Sequence, residues 1–138
     1  MNKTRNNQLI KLADEALLST RALFKANDTM DIDESYNGQI AALGVSIAMS
    51  GLRPALAIYY QDSKTKVKRR AVLIVIAKMI QTDPTRNIQG STDANFNDAR
   101  SLFDYALTIS ENQLKDLTRE VEECSIALKQ VVRTYNLV

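Results

Sequence analysis

The chain has 138 residues, 45% of them hydrophobic and 25% charged, a composition that fits one folded domain with a real core. It contains no His and a single cysteine, Cys124, which excludes a Ser-His or Cys-His nucleophile, imidazole or Cys-cluster metal sites and an internal disulfide. The net charge of +2 hides a strong asymmetry: residues 50–90 carry eight bases and two acids, between flanks that are mildly acidic.

A lone thiol suits a reducing cytoplasm. The polar start, Met1 to Gln8, lacks the apolar core of a signal peptide. The longest apolar run, Ala71 to Ala77, falls far short of the roughly twenty residues a spanning helix needs. A cytoplasmic protein without membrane contact is therefore expected. Aromatic residues make up only 6% with no Trp, so little is available for a base-stacking platform.

Helical periodicity runs through most of the chain. Leu9, Ala13, Ala16, Leu17, Leu23 and Phe24 predict a first helix from Arg5 to Lys25. An acidic linker follows, in which Asp31 and Glu34 have the spacing of a capping box. The second predicted helix buries Tyr36, Ile40, Leu43 and Ile47. Its small residues Ala41, Gly44 and Ala48 form a ridge suited to close approach of a neighbouring helix.

Ser50-Gly51-Leu52-Arg53-Pro54 reads as a junction, with Gly51 ending one helix at positive φ and Pro54 in the first turn of the next. A short helix from Pro54 to Gln61 and a fourth from Lys64 to just before Asp83 follow. The β-branched run 71–77 could be a buried strand, but it has no partner strand and sits in a long stretch without Gly or Pro, so a helix buried on most sides is predicted. After a polar loop come a fifth helix carrying Phe96, Ala99, Leu102, Phe103, Ala106 and Leu107, and a sixth carrying Leu117, Val121, Cys124, Leu128, Val131 and Val132. Ser110 and Gln113 form a capping box between them, with Ile109 and Leu114 at hydrophobic-staple positions. The sum is an all-α, compact bundle of five to six helices without a sheet, one domain over residues 1–138.

Lys64-Thr-Lys66-Val-Lys68-Arg69-Arg70 places five cations in seven residues. On a helix, Lys64 with Lys68 and Lys66 with Arg70 would repel at i, i+4, and the whole block would sit at the positive end of the helix dipole. An anionic partner, phosphate above all, rationalises that arrangement better than a merely solvated helix start. Candidate RNA-binding residues are Lys64, Lys66, Lys68, Arg69 and Arg70, with Arg53 and Lys78 as neighbours. Other motifs are weak. Asp31-x-Asp33-x-Ser35-x-Asn37 lacks the Gly and Glu of a calcium loop and is better placed to cap a helix. Gly44-Val-Ser46-Ile-Ala48 resembles a nucleophile elbow but lies in a helical pattern with no His available. No catalytic residue, metal site or cofactor is expected.

The segment from Ser35 to Tyr60 resembles the small helical subunit of type III-B CRISPR effector assemblies, the Cmr complex. A Tyr-led helix (Tyr36), Gly51-Leu52, and a short helix with an Ala55-Leu56-Ala57 core ending at Tyr59 or Tyr60 carry the resemblance. A small all-α domain with a long last helix extends it over nearly the whole chain, although that helix lacks the aromatic the family places in its middle. The resemblance implies a non-catalytic subunit acting in antiviral defence. Several copies would pack along the backbone subunits of the effector filament, lining the path of target RNA paired with guide RNA. Its partners would be those backbone subunits, other copies of itself, and both RNAs through their backbones. Two other readings stay open: a helical adaptor whose basic block binds an acidic protein, and a small helical enzyme that holds an anionic substrate with Arg and Lys and uses acids such as Glu111 or Glu120.

Overall fold

A computed structural model describes residues 2–26, 28–61, 68–88, 90 and 94–138. Among these residues there are six helices and one minimal pair of strands: α1 (Lys3–Thr20), β1 (Asp31–Ile32), α2 (Ser35–Ser50), α3 (Leu52–Tyr60), α4 (Arg70–Thr82), α5 (Ala99–Thr108), α6 (Glu111–Val132) and β2 (Asn136–Leu137). The fold is all-α, as the periodicity predicts.

Helix α1 starts where the Asn2 side chain accepts the Arg5 backbone N–H at 2.7 Å, and it buries Leu9, Ala13, Ala16 and Leu17. It ends sooner than the apolar spacing suggests. Arg21 adopts φ 54°, and its N–H closes on the Leu17 carbonyl. The Arg21 guanidinium reaches the carbonyls of Ala26 and Thr29 and lies 4.5 Å over the Phe24 ring, contacts that offset the left-handed backbone. Leu23 and Phe24 are therefore buried from a turn, not from a helix.

That turn brings the chain back as β1. Asp31 and Ile32 pair in parallel with Asn136 and Leu137, and Phe24 bridges Ile32 from the other side. The expectation of no sheet misses this two-residue pairing because it joins residues more than a hundred positions apart, beyond the reach of any local pattern. It also redirects the acidic linker. The Asp31 side chain accepts from the Asn136 amide, and Asp33, in place of an Asp31–Glu34 box, accepts the N–H and hydroxyl of Ser35 at the start of α2. Glu34 makes no side-chain cap bond.

Helix α2 buries one stripe, Tyr36, Ile40, Leu43 and Ile47, and α6 and α3 pack on that side. At Gly44, the middle of the expected ridge, no neighbouring helix comes close: a Cβ built there meets nothing within 4 Å among the described residues. At the junction Gly51 has φ 90° and ψ 168°, a region essentially reserved for Gly, while its N–H bonds the Ile47 carbonyl at 2.9 Å. Leu52 is buried directly after it.

Helix α4 is the centre of the molecule. Ala71, Val72, Leu73, Val75, Ile76, Ala77, Met79 and Ile80 are all buried, and α1, α2, α3, α5 and α6 all touch it. The helical reading of the 71–77 run is correct. Its start is not where the sequence places it: α4 begins at Arg70, so Lys68 and Arg69 precede the helix and Lys68 has no place in a helical i, i+4 ladder. Lys64 and Lys66 lie outside the described residues.

Helices α5 and α6 both begin on capping boxes. Ser110 with Gln113 matches the sequence reading; Asp98 with Ser101, opening α5, uses Ser in the role usually held by Glu or Gln and so escapes it. Helix α6 buries Leu117, Val121, Cys124, Leu128, Val131 and Val132, and burial pushes the Cys124 thiol far above its ordinary range.

Two glycines allow a paired test. Gly51→Val should lower the stability of the domain by about 1–3 kcal/mol, because a side chain must be held in a Gly-only backbone region. Gly44→Ala should raise it by about 0.5–1 kcal/mol, because the added methyl meets no atom and the helix gains propensity. Urea titrations of the two variants against the parent chain check both signs.

Candidate nucleic-acid interface

The basic block meets the fold where the chain enters α4. Lys68 and Arg69 are exposed there, and the Arg69 guanidinium lies 5.6 Å from the Tyr59 ring centre. The backbone at this point is anchored by Tyr36, whose hydroxyl donates to the Lys68 carbonyl at 3.3 Å. Burial holds the Tyr36 hydroxyl above its usual range, so it stays a neutral donor.

Arg70 and Arg53 are placed differently. Arg70 donates through Nε and Nη2 to the Tyr60 carbonyl at 2.8 and 2.6 Å, with its guanidinium 4.2 Å over the Tyr60 ring. Tyr60 is the last residue of α3, so Arg70 satisfies a carbonyl that the helix leaves without an internal partner, at the negative end of its dipole. Arg53 does the same for α5: Nε donates to the Ala106 carbonyl at 2.7 Å and Nη2 to the Ile109 carbonyl at 3.0 Å. Its Nη1 reaches Glu111 at 3.4 Å. Lys78 lies with Ile74 and Arg70 on the one stripe of α4 that is not fully covered.

A groove of about 600 Å³ opens between the turn after α1, the start of α2 and the start of α4. Lys25, Lys68 and Arg70 line it, together with the Asp33 carboxylate and the apolar surfaces of Phe24, Tyr36 and Ile74. Lys25 escapes the sequence reading because it is an isolated base in an acidic segment. Only the left-handed turn at Arg21 folds it back beside the basic block.

The acids considered as catalysts do not meet at one place: Glu111 touches Arg53, and Glu120 pairs with Arg5. Glu111 is 81% exposed at the start of α6, while Glu120 is buried nine residues further along, about 13–14 Å up the helix axis. Cys124 is buried in the core.

The family model of CRISPR-associated protein (Cas_Cmr5) matches residues 11–135. The chain belongs to that family. The matched span takes in the groove, the Gly51 junction and the whole of α2 to α6, so the Cmr5-family assignment rests on nearly the entire fold and not on the Ser35–Tyr60 segment alone. Comparison with curated proteins and with solved structures finds no match.

One polar cluster of this Cmr5-family chain reaches beyond the matched span. Arg5, in the first turns of α1, donates through Nη2 to Asp83 at 2.5 Å and to Glu120 at 2.6 Å. Both carboxylates are 2% exposed and the Arg5 side chain 15%. Thr85 N–H and hydroxyl also donate to Asp83, and the Asn87 N–H donates to Glu120. Burial alone would push the Asp83 carboxyl up; the Arg5 guanidinium and the Thr85 donors outweigh it and hold Asp83 below the usual carboxylate range. The hydrogen bond from Arg5 to Asp83, with the charges of both acids, raises Arg5 further above its ordinary value. Glu120 is thus a structural acid that ties α6 to α1 and to the loop after α4.

Arg5→Gln strands two buried carboxylates and should destabilise the domain by roughly 3 kcal/mol at neutral pH. In the parent chain Asp83 has a lowered folded pKa, so its contribution is complete above the unfolded value near 4 and is lost as the pH falls through the folded value. In the variant, acid relieves the stranded charges. The stability gap between the two chains should therefore narrow as the pH drops from about 7 to about 4, which paired denaturant titrations would show.

Proposed function

We propose that this protein is the non-catalytic small subunit of a type III-B CRISPR effector complex, packing in several copies along the backbone filament and contacting the target RNA and guide duplex through a basic surface. The family match over residues 11–135 carries this reading. The surface consists of Lys68 and Arg69, with Lys64 and Lys66 of the same block, and Lys25 across the groove. Arg53 and Arg70 contribute field more than direct contact, because both are committed to helix ends, and Lys78 adds its charge about two turns along α4 from Arg70. Its place is the cytoplasm, and it works without a cofactor, as one domain over residues 1–138.

The chemistry of such a surface is electrostatic. Cations that meet phosphates release counterions and carry no sequence information, so base pairing with the guide supplies all sequence choice. A single copy reaches only a few phosphates and binds weakly, while copies held side by side bind strongly through effective concentration.

Replacing Lys64, Lys66, Lys68 and Arg69 together with Gln, and leaving the helix-capping Arg70 in place, tests this in the reconstituted complex. Assembly should persist. Target-RNA affinity should fall similarly for unrelated guides, and the slope of log affinity on log salt should become shallower by about 0.7 for each phosphate that the variant no longer neutralises. Failure to assemble, with target affinity of the remaining subunits unchanged, would make the block a protein-docking surface.

The purified chain is also expected to cut neither RNA nor DNA, with or without divalent metal. Nuclease activity that survives stringent purification and disappears in Asp31→Asn or Asp33→Asn would overturn the non-catalytic assignment.

A further inference from the structure

Few as the aromatic residues are, the fold stacks two of them on its surface beside the basic block. Tyr60, ending α3, and Phe103, on α5, lie with ring centres 5.9 Å apart and planes within 17° of parallel. Arg70 lies 4.2 Å over the Tyr60 ring. Arg100 lies over both rings, 5.4 Å from Tyr60 and 5.5 Å from Phe103. The result is a cluster of two near-parallel rings and two guanidinium groups, in which Arg100 is almost equidistant from both rings.

Its components are held by their edges. Arg70 is fixed in position by its two hydrogen bonds to the Tyr60 carbonyl. Arg100 Nε is held by Asp104 at 3.0 Å, and both of those side chains are about half exposed. An exposed i, i+4 pair of this kind adds little stability, but it orients the guanidinium. Arg100 is therefore held beside both rings while about half of its side chain stays open to solvent. A planar, delocalised cation backed by aromatic rings is a stacking surface for a nucleobase and is indifferent to which base it meets.

We propose that the cluster of Arg100, Phe103, Tyr60 and Arg70 is a base-stacking site for single-stranded RNA, on which an unpaired base lies against the exposed part of the Arg100 guanidinium. The proposal rests on the RNA-contacting reading above and extends it from phosphate contact to base contact. It keeps that reading's lack of sequence preference, because every base offers a π-face.

The test uses the full chain with two fluorescent ligands: a short oligoadenylate, and the same sugar–phosphate backbone carrying abasic sites. Arg100→Lys keeps the charge and removes the planar surface. Phe103→Leu keeps apolar volume and removes the ring; Phe103→Tyr restores a ring. The parent chain should bind oligoadenylate about fivefold or more tighter than the abasic strand, the lower end of what stacking contributes per base. Arg100→Lys and Phe103→Leu should erase that preference, Phe103→Tyr should keep it, and the salt slope should be the same in all four chains. If Phe103→Leu is misfolded by circular dichroism, the half-exposed Arg100→Lys decides.

Equal binding of both strands by the parent chain, or an unchanged preference in Arg100→Lys, would overturn the stacking site and leave the phosphate-contact reading standing. Binding of neither strand at low salt would also overturn the stacking site, while the phosphate-contact reading, which needs copies held side by side, is decided in the reconstituted complex. Variants that lose complex assembly while keeping the base preference would assign the patch to a protein neighbour and overturn the proposal.

Discussion

The burial of α4 sets the terms for the rest of the fold. Eight of its thirteen residues are buried, and a helix that apolar must be covered on nearly every side. Helices α1, α2, α3, α5 and α6 all touch it, with α6 and α1 also packed on each other. Before its last two residues, only the narrow strip of Arg70, Ile74 and Lys78 is left open to a partner or solvent. Charge is thereby pushed out of the helix and collected at its entrance, where Lys68 and Arg69 stand exposed.

Cations at a helix N-terminus face an unfavourable dipole. The fold answers this in part by turning Arg70 away from its own helix and onto the C-terminus of α3. Arg53 closes α5, Arg21 holds the turn after α1, and Arg5 neutralises buried acids, so several of the arginines are structural elements. A simple count of basic residues therefore overstates how many cations the fold leaves for the proposed contact with phosphate. Among the described residues, the proposed phosphate-facing surface consists of Lys25, Lys68 and Arg69, a set that would suit loose, sequence-independent contact along a backbone better than fixed recognition.

The same economy of parts links stability to the candidate interface. Arg70 joins the end of α3 to the start of α4 and, through Tyr60, to the ring pair with Phe103 on α5. Tyr36 ties α2 to the Lys68 backbone on the other flank. The entrance of α4 is thus held from two sides by neutral tyrosine and capping arginine contacts. Cations next to it can be exposed without the segment losing its anchor.

Much of this protein is legible in its sequence because much of it is local. The buried stripe of α2, the Gly51 junction, the helical state of 71–77 and the Ser110–Gln113 box depend on residues within a few positions of one another, and periodicity and capping chemistry report them directly. The family, too, could be read from Tyr36, Gly51-Leu52 and the short helix that follows. What tertiary structure alone decided is the set of contacts between distant residues. Arg5 meets Asp83 and Glu120 from 78 and 115 positions away; Lys25 joins Lys68 across a groove; Tyr60 stacks on Phe103. No spacing rule encodes such meetings, because each depends on where whole helices dock. The end of α1 belongs with them: Leu23 and Phe24 keep the helical period, and only the docking of β1 and the reach of Arg21 across the turn make the chain leave the helix at Thr20.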